Sequence, residues 1–166
     1  MRNAWAWVLG TVLLAACGGT RVPDNAGRLS ALGGSAVTLP EGVTLAASLH
    51  AASAGETCIG SDGTFGAGGF VTVCLRLNNA TAHNVNVTLP GELIFKADLV
   101  PAAPYANGLV GQPVVVPAQP GPHTYTLRLF GADLHFQMSD AYAVYAPGPV
   151  LGDPQVQTLA GILAGK

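Results

Sequence analysis

The feature that most constrains the fold is a series of short runs in which apolar and polar residues alternate. The clearest run is Phe70–Asn78, where every second residue is apolar: Val71, Val73, Leu75 and Leu77. Since successive side chains of a β-strand point to opposite faces, this period of two predicts a strand with one buried face. Residues typical of turns separate this run from the next ones, so the pattern predicts a mainly β chain.

Further strands follow from the same reasoning. The predicted strands are Ser35–Leu39, Val43–His50, Phe70–Asn78, Asn84–Leu89, Glu92–Leu99, Pro113–Val116, His123–Phe130, Leu134–Gln137 and Ala141–Tyr145. The side chains predicted to face inward in three of them are Val85, Val87 and Leu89, then Leu93, Phe95 and Ala97, then Tyr125, Leu127 and Leu129. Helical spacing of apolar side chains occurs in Pro154–Ala164, with Asp153 as a capping residue before the proline.

The stretch from Val71 to Leu129 resembles secreted immunoglobulin-like modules. The resemblance lies in a strand that ends in Asn-Asn-Ala-Thr, a strand that ends in Leu-Pro-Gly, and a later Gly-Pro-His-Thr-Tyr-Thr-Leu strand. The pattern of about seven to nine short strands separated by turns predicts an antiparallel β-sandwich with a short C-terminal helix over residues 35–166, and the resemblance implies that this sandwich is immunoglobulin-like. It implies no function, because such sandwiches have many functions.

The beginning of the chain is typical of an export signal. Residues 1–16 carry one basic residue, Arg2, and then an apolar stretch that is too short to span a bilayer and ends on small residues. The residues Leu14-Ala15-Ala16-Cys17 resemble the lipobox of bacterial lipoproteins. The resemblance implies removal of residues 1–16 and a lipid on Cys17 that anchors the chain to a cell membrane. The residue after Cys17 is Gly18 and not Asp. In this respect the chain resembles lipoproteins that are sent to the outer membrane, where they face the periplasm. The alternative is an ordinary secretory signal.

Residues 17–34 are predicted to be the lipidated cysteine and a flexible tether, because the segment contains glycine, proline, asparagine and serine and has little apolar periodicity. Such a tether would hold the domain on average about 20–25 Å from the lipid. After removal of the signal the chain has more acidic than basic residues and no basic stripe. This composition argues against nucleic-acid binding. The low charge favours self-association, since few like charges keep copies apart.

Two cysteines remain when Cys17 is lipidated. In an oxidising compartment Cys58 and Cys74 are expected to form a disulfide that stabilises the domain by about 3 kcal/mol in the chain-entropy model. A redox pair or half of a metal site is disfavoured by their spacing. The glycine-rich segment Gly60–Gly69 lies between them. It lacks the residues of a phosphate-binding loop, so it is predicted to be a mobile loop tip and not a nucleotide site.

Two groups of side chains are candidates for a functional site. Asp133 and His135 would share a strand face, with Asp140 close in sequence, and carboxylates with an imidazole can bind a metal or exchange protons. The alternative for this group is the solvent-facing side of a half-buried strand. Phe65 and Tyr105 lie in two predicted contact loops, Ser61–Gly69 and Pro101–Gly111, where aromatic residues often touch ligands.

The sequence therefore predicts a lipid-anchored protein of the cell envelope whose β-sandwich has a binding or structural role and no catalytic one. No catalytic residues and no cofactor are assigned. The expected partners are the membrane, through the lipid on Cys17, and an envelope protein or a second copy of the chain. The alternatives are a metal-binding or hydrolytic protein that uses Asp133, His135 and Asp140, and an envelope protease inhibitor that presents a loop.

Overall fold

The computed structural model describes residues 34–98, 105–133 and 136–164, which form a strand-rich domain with one helix. The strands are β1 (Gly34–Ser35), β2 (Val43–Leu45), β3 (Leu49–Ala52), β4 (Thr64–Phe65), β5 (Val71–Asn79), β6 (Val85–Leu89), β7 (Leu93–Ala97), β8 (Gly108–Leu109), β9 (Val114–Ala118), β10 (Gly121–Gly131) and β11 (Val144–Leu151). The helix, α1, spans Pro154–Ala164. Cys17 and the predicted signal and tether lie outside the described residues.

Six strands close into a ring in the order β5, β3, β11, β7, β8 and β10, and β10 returns to β5. Every neighbouring pair in this ring is antiparallel. Three short strands are added at its margins: β2 beside β5, β4 parallel to β10, and β1 beside β11. A separate ribbon of β6 and β9 supplies further apolar side chains to the same core.

Two strands turn the corners of the ring. β3 pairs with β11 through Leu49–His50 and with β5 through Ala51–Ala52. β10 pairs with β5 along Gly121–Leu129 and then with β8 through Phe130–Gly131. Strands that pass from one sheet to another in this way join the two sheets into one continuous structure. The mainly β class is confirmed. The ring does not confirm the predicted immunoglobulin-like sandwich, because its strands close on one another rather than ending at the free edges of two stacked sheets.

The core contains the side chains that the alternating pattern assigned to it. All four apolar residues of the β5 pattern are buried, as are the three of β10. In β6 and β7 the predicted inward residues are buried or partly buried, and Ile94 of β7 is also buried on the opposite face, in a small cluster with Leu109 and Leu151. Period-two alternation therefore identified the buried faces correctly.

Strand boundaries differ from the predictions where proline, glycine or a bend intervenes. The predicted strand Val43–His50 is divided into β2 and β3, and only Ser35 of Ser35–Leu39 is in a strand, β1. β11 begins at Val144 and continues to Leu151, through Pro147 and Pro149, whereas the sequence predicted a strand over Ala141–Tyr145. A register shift between Pro147 and Val150 accommodates the prolines. In Leu134–Gln137, the first two residues lie outside the described chain, and Gln137 forms an isolated bridge with Tyr105.

The predicted C-terminal helix is confirmed at both ends. Asp153 caps it, since its Oδ1 accepts a hydrogen bond of 2.7 Å from the backbone N–H of Gln155. Proline at the first helical position costs no hydrogen bond, because the N–H there has no partner within a helix. Within the ranges given above, no helix is both long enough and apolar enough to cross a membrane.

Candidate functional site

Asp140, a predicted metal-ligating residue, is bound to the hydroxyl of Tyr105. The Tyr105 hydroxyl donates to the carboxylate at 2.8 Å from Oδ1 and 2.9 Å from Oδ2. The backbone N–H of Tyr142 donates to the same Oδ1 at 2.8 Å and closes a local turn. The hydrogen bond to Asp140 is the main reason that the pKa of Tyr105 is raised, and burial and the nearby negative charge act in the same direction.

Asp133, the second predicted carboxylate, holds Asn107 in place. Its Oδ2 accepts from the backbone N–H of Asn107 at 3.1 Å and from Nδ2 of the same residue at 2.8 Å. The Asn107 side chain is buried, and its Oδ1 accepts from the backbone N–H of Ala97 at 2.9 Å. Asp133 thus fixes the Asn107 side chain, which links the segment before β8 to the end of β7. The sequence analysis did not identify Asn107, because nothing local distinguishes it.

The two carboxylates contact the same three-residue segment, residues 105–107, so the structure brings Asp133 and Asp140 to one region of the molecule. His135, the third member of the predicted group, lies outside the described residues. Among the residues that are described, no three His, Cys, Asp or Glu side chains form a group that fits a metal ion. The contacts seen for both carboxylates are those of groups that fix backbone segments.

A second polar cluster, which we call the His123 cluster, joins β10 to the loop before β4. Nδ1 of His123 lies 2.7 Å from Oδ2 of Asp62, and Nε2 lies 3.1 Å from the carbonyl oxygen of Pro120. Because both partners are acceptors, they favour the protonated imidazole, which donates from both nitrogens. The Asp62 hydrogen bond is the main cause of the raised pKa of His123. The sequence did not predict this pair, whose members are 61 residues apart.

Ser61 in this cluster has the hydroxyl that a nucleophile requires, but the hydroxyl is engaged in holding a turn. Its Oγ donates to the carbonyl of Gly63 at 2.7 Å and accepts from the backbone N–H of Thr126 at 2.8 Å. Thr126 Oγ1 donates to the same oxygen at 2.9 Å and accepts from the N–H of Cys58. A serine nucleophile would instead donate its proton to a neighbouring base. Ser61 therefore has the contacts of a structural residue.

The disulfide between Cys58 and Cys74 is present, which confirms that prediction. The two Cα atoms are 5.6 Å apart, and the bond ties the glycine-rich segment to the side of β5 that faces away from the main core. The prediction that this segment is a mobile loop tip does not agree with its pairing in the structure. The segment contains β4, which pairs with β10 through Thr64 and Phe65. Further backbone hydrogen bonds join it to Thr124 and Thr126.

Phe65 and Tyr105, predicted as loop contact residues, are packed against the core. Phe65 lies in β4 and meets the ring of Tyr125 edge to face, with centroids 5.9 Å apart. Tyr105 is 6 % exposed. Tyr105 therefore has little ring surface free for a ligand, and Phe65 is partly buried. Among the described residues, other large apolar side chains are exposed, which the sequence analysis did not single out: Ile59, Val115, Met138, Tyr142, Leu159 and Ile162.

A groove of about 350 Å³ lies beside the His123 cluster, over the adjacent strands β2, β5 and β10. Arg76 and His123 contribute the basic groups on its walls, and Thr44 and Asn78 contribute neutral polar ones. The charge of a protonated His123 is balanced by Asp62. The groove is therefore an open, mildly polar recess.

Comparison with known proteins gave no relative: no protein-family model, no curated protein and no solved structure matches the chain.

Proposed function

We propose that this chain is a lipid-anchored protein of the cell envelope whose β domain has a binding or structural role and no catalytic one. The observation that carries the proposal is the Leu14-Ala15-Ala16-Cys17 motif, placed directly after an apolar segment of the length of an export signal. Two or more acyl chains on one residue hold a protein durably on a membrane. The predicted disulfide agrees with an exported chain, because disulfides form and persist in oxidising compartments.

The contacts of the polar side chains support a non-catalytic role. Asp140 and Asp133 are hydrogen-bonded to Tyr105 and Asn107, and Ser61 holds its own turn. Catalytic groups are usually directed toward a position that a substrate can occupy. Here each of these groups is directed toward a partner in the protein.

The exposed apolar side chains support a role in binding. Ile59 is fully exposed beside the disulfide, and Tyr142 is 84 % exposed in the turn that Asp140 closes. Both are held on short, hydrogen-bonded turns, which suits residues that contact a partner, since little order is lost on binding. The partner is an envelope protein or a second copy of the chain. That the domain is an immunoglobulin-like sandwich stays a prediction within this proposal.

The anchoring is tested by the intact mass of the protein purified from membranes of the native cells. The expected mature chain begins at Cys17 and carries acyl chains. A Cys17→Ala variant is expected to keep residues 1–16 and to gain no acyl mass. A mature wild-type chain that lacks lipid, or that begins at another residue, would contradict the proposal.

The binding role is tested by crosslinking in native cells, followed by mass spectrometry of the captured proteins. One envelope protein, or the chain itself, is expected in a constant ratio to the bait. Capture is expected to fall in an Ile59→Ser or Tyr142→Ser variant and to persist in an Asn86→Ser variant, whose side chain is exposed but polar. Equal capture by all variants would remove these two residues from the proposed surface.

The metal-binding or hydrolytic alternative has one observation in its favour, namely that Asp133 and Asp140 both contact residues 105–107. His135 would supply the third ligand. Stoichiometric metal in the purified wild-type protein that is lost in His135→Ala would favour this alternative over the main proposal. The inhibitor alternative stays a prediction from the sequence.

A further inference from the structure

Among the side chains of α1 that the structure describes, two large apolar ones are exposed. Leu159 is 49 % exposed and Ile162 is 56 % exposed, and three-residue spacing places them along one side of the helix. Val156, one step earlier on the same side, packs against the small cluster of Ile94, Leu109 and Leu151. The apolar stripe therefore begins on the domain and continues beyond it. No Asp, Glu, Lys or Arg occurs between residues 154 and 165.

The chain outside the structure reaches the domain at the same corner. Gly34 is the first described residue, and it pairs with Leu151 in the β1–β11 ladder. α1 begins three residues after Leu151, at Pro154. The predicted tether from Cys17 and the helix α1 thus leave the domain side by side. A lipid on Cys17 would make this corner the part of the domain that is tied closest to the membrane.

Basic residues flank this corner in the sequence. The described domain contains three basic residues, Arg76, Lys96 and Arg128, and all the acidic residues of the chain except Asp24. The other basic residues of the mature chain are Arg21 and Arg28 in the predicted tether and Lys166 just after α1. Basic residues next to a membrane surface are attracted to anionic lipids. Two acidic residues lie at this corner: Asp153 caps α1, and the backbone carbonyl of Glu92 accepts from the N–H of Leu151.

We propose that the Leu159–Ile162 side of α1 lies on the surface of the bilayer, as a second membrane contact beside the lipid on Cys17. This inference rests on the proposed anchoring. A helix of this length extends about 16 Å, which is too short to cross a bilayer, so it lies along the interface. Entry into the interface is favoured because the helix has no charged side chain to desolvate. The second contact orients the domain on the membrane, with β1 and α1 toward the lipid.

The test uses tryptophan as a probe, because the chain's two tryptophans, Trp5 and Trp7, both lie in the predicted signal. Leu159→Trp and Ile162→Trp are made in the full-length gene, and the mature lipidated proteins are placed in vesicles of phosphatidylethanolamine and phosphatidylglycerol. The matched control is Val115→Trp, at an exposed position of β9 that is not part of the proposed binding surface. The emission is recorded with ordinary lipids and with lipids that carry bromine on their acyl chains. Circular dichroism checks that each variant is folded, and either helix variant suffices.

The expected result is a blue-shifted emission for the α1 variants, most of which is quenched by brominated lipids. The Val115→Trp emission is expected to show neither the blue shift nor the quenching. An α1 emission like that of the control overturns the inference. A blue shift without quenching also overturns it, because the helix is then covered by protein, such as a second copy.

Intact mass and flotation separate the two proposals. Protein that floats with acylated Cys17 but has a water-exposed α1 tryptophan leaves the anchoring intact, whereas a chain without acyl groups that does not float contradicts the anchoring itself.

Discussion

Single polar side chains fix the loops of this domain to its strands. Ser139 is buried, and its Oγ donates to the carbonyl of Ala52 at 2.9 Å while it accepts from the N–H of Thr72 at 2.8 Å. Asn79 acts similarly at another corner, where its Nδ2 donates to the carbonyls of His83 and Ala118. A buried backbone group without a partner is costly, so each of these side chains replaces a strand partner that the bent chain does not provide.

Replacing Ser139 with alanine is expected to lower the free energy of unfolding by about 1–3 kcal/mol, because the Thr72 N–H and the Ala52 carbonyl lose their partner. Urea denaturation of the purified protein measures the change. Ser48→Ala is the matched control, since Ser48 is exposed, and its effect is expected to be small. Equal effects of the two substitutions would show that the Ser139 hydrogen bonds contribute nothing.

The His123 cluster is expected to make stability depend on pH. The pKa of His123 is raised above its unfolded value of about 6.5 by the Asp62 hydrogen bond. The stabilisation is therefore fully present below the unfolded pKa and is lost as the pH rises through the folded pKa. The difference in urea midpoint between wild type and His123→Gln should shrink over that interval. Asn86→Ser, at an exposed position without an ionisable group, is the control and should follow the wild-type midpoints at every pH. A difference that grows with pH would contradict the assignment.

At the scale of elements, the glycine-rich segment Gly60–Gly69 packs closely along one edge of β10. A Cβ on Gly66 would overlap the carbonyl of Arg128, and a Cβ on Gly68 would overlap the backbone of Leu129. Gly66 also has a φ of +81°, which side-chain-bearing residues rarely adopt. These glycines allow the two backbones to approach closely.

Gly68→Ala is expected to destabilise the domain by about 1–3 kcal/mol, because the new methyl group has no space against β10. Gly69→Ala is the matched control, since a Cβ there has no neighbour within 4 Å. Thermal or urea denaturation compares the two proteins. A loss of stability in Gly69→Ala as large as that in Gly68→Ala would indicate that backbone conformation, and not close packing, explains the glycines.

At the scale of the whole molecule, the closed ring makes one core from strands that are far apart in sequence. β5 pairs with β2, β3 and β10, and β11 pairs with β1, β3 and β7. Most strands of the ring therefore pair with strands that are distant in the sequence. Such a structure is expected to unfold as one unit, because opening one pairing exposes the common core.

Leu127→Ala is expected to cost about 2–5 kcal/mol, since this leucine is fully buried in the common core. The unfolding curves from far-ultraviolet circular dichroism and from tyrosine absorbance should stay superimposable, with one shifted midpoint. Val115→Ala, at a half-exposed position of β9, should shift the midpoint much less. Curves that separate in Leu127→Ala would show that parts of the ring unfold independently.

The sequence by itself determined the features that depend on neighbouring residues. Alternation in β5 and β10 reports which side chains are buried, whatever strand lies next to them, and Asp153 with Pro154 defines the start of α1 through local hydrogen bonding. The pairing of Cys58 with Cys74 followed from the cysteine count. Alternation does not report which strands become neighbours, so the sandwich predicted from it was not confirmed.

Tertiary structure alone decided the ring, the path of β11 through its prolines and the contacts of the candidate site residues. Asp62 and His123 meet only because β4 adds to β10, and Asp140 meets Tyr105 only because the segment before β8 returns beside it. These contacts join residues that are distant in sequence, and their energies depend on the packing of the whole core. A local pattern carries no information about them, which is the physical reason that the burial of Phe65 and Tyr105 became visible only in the folded molecule.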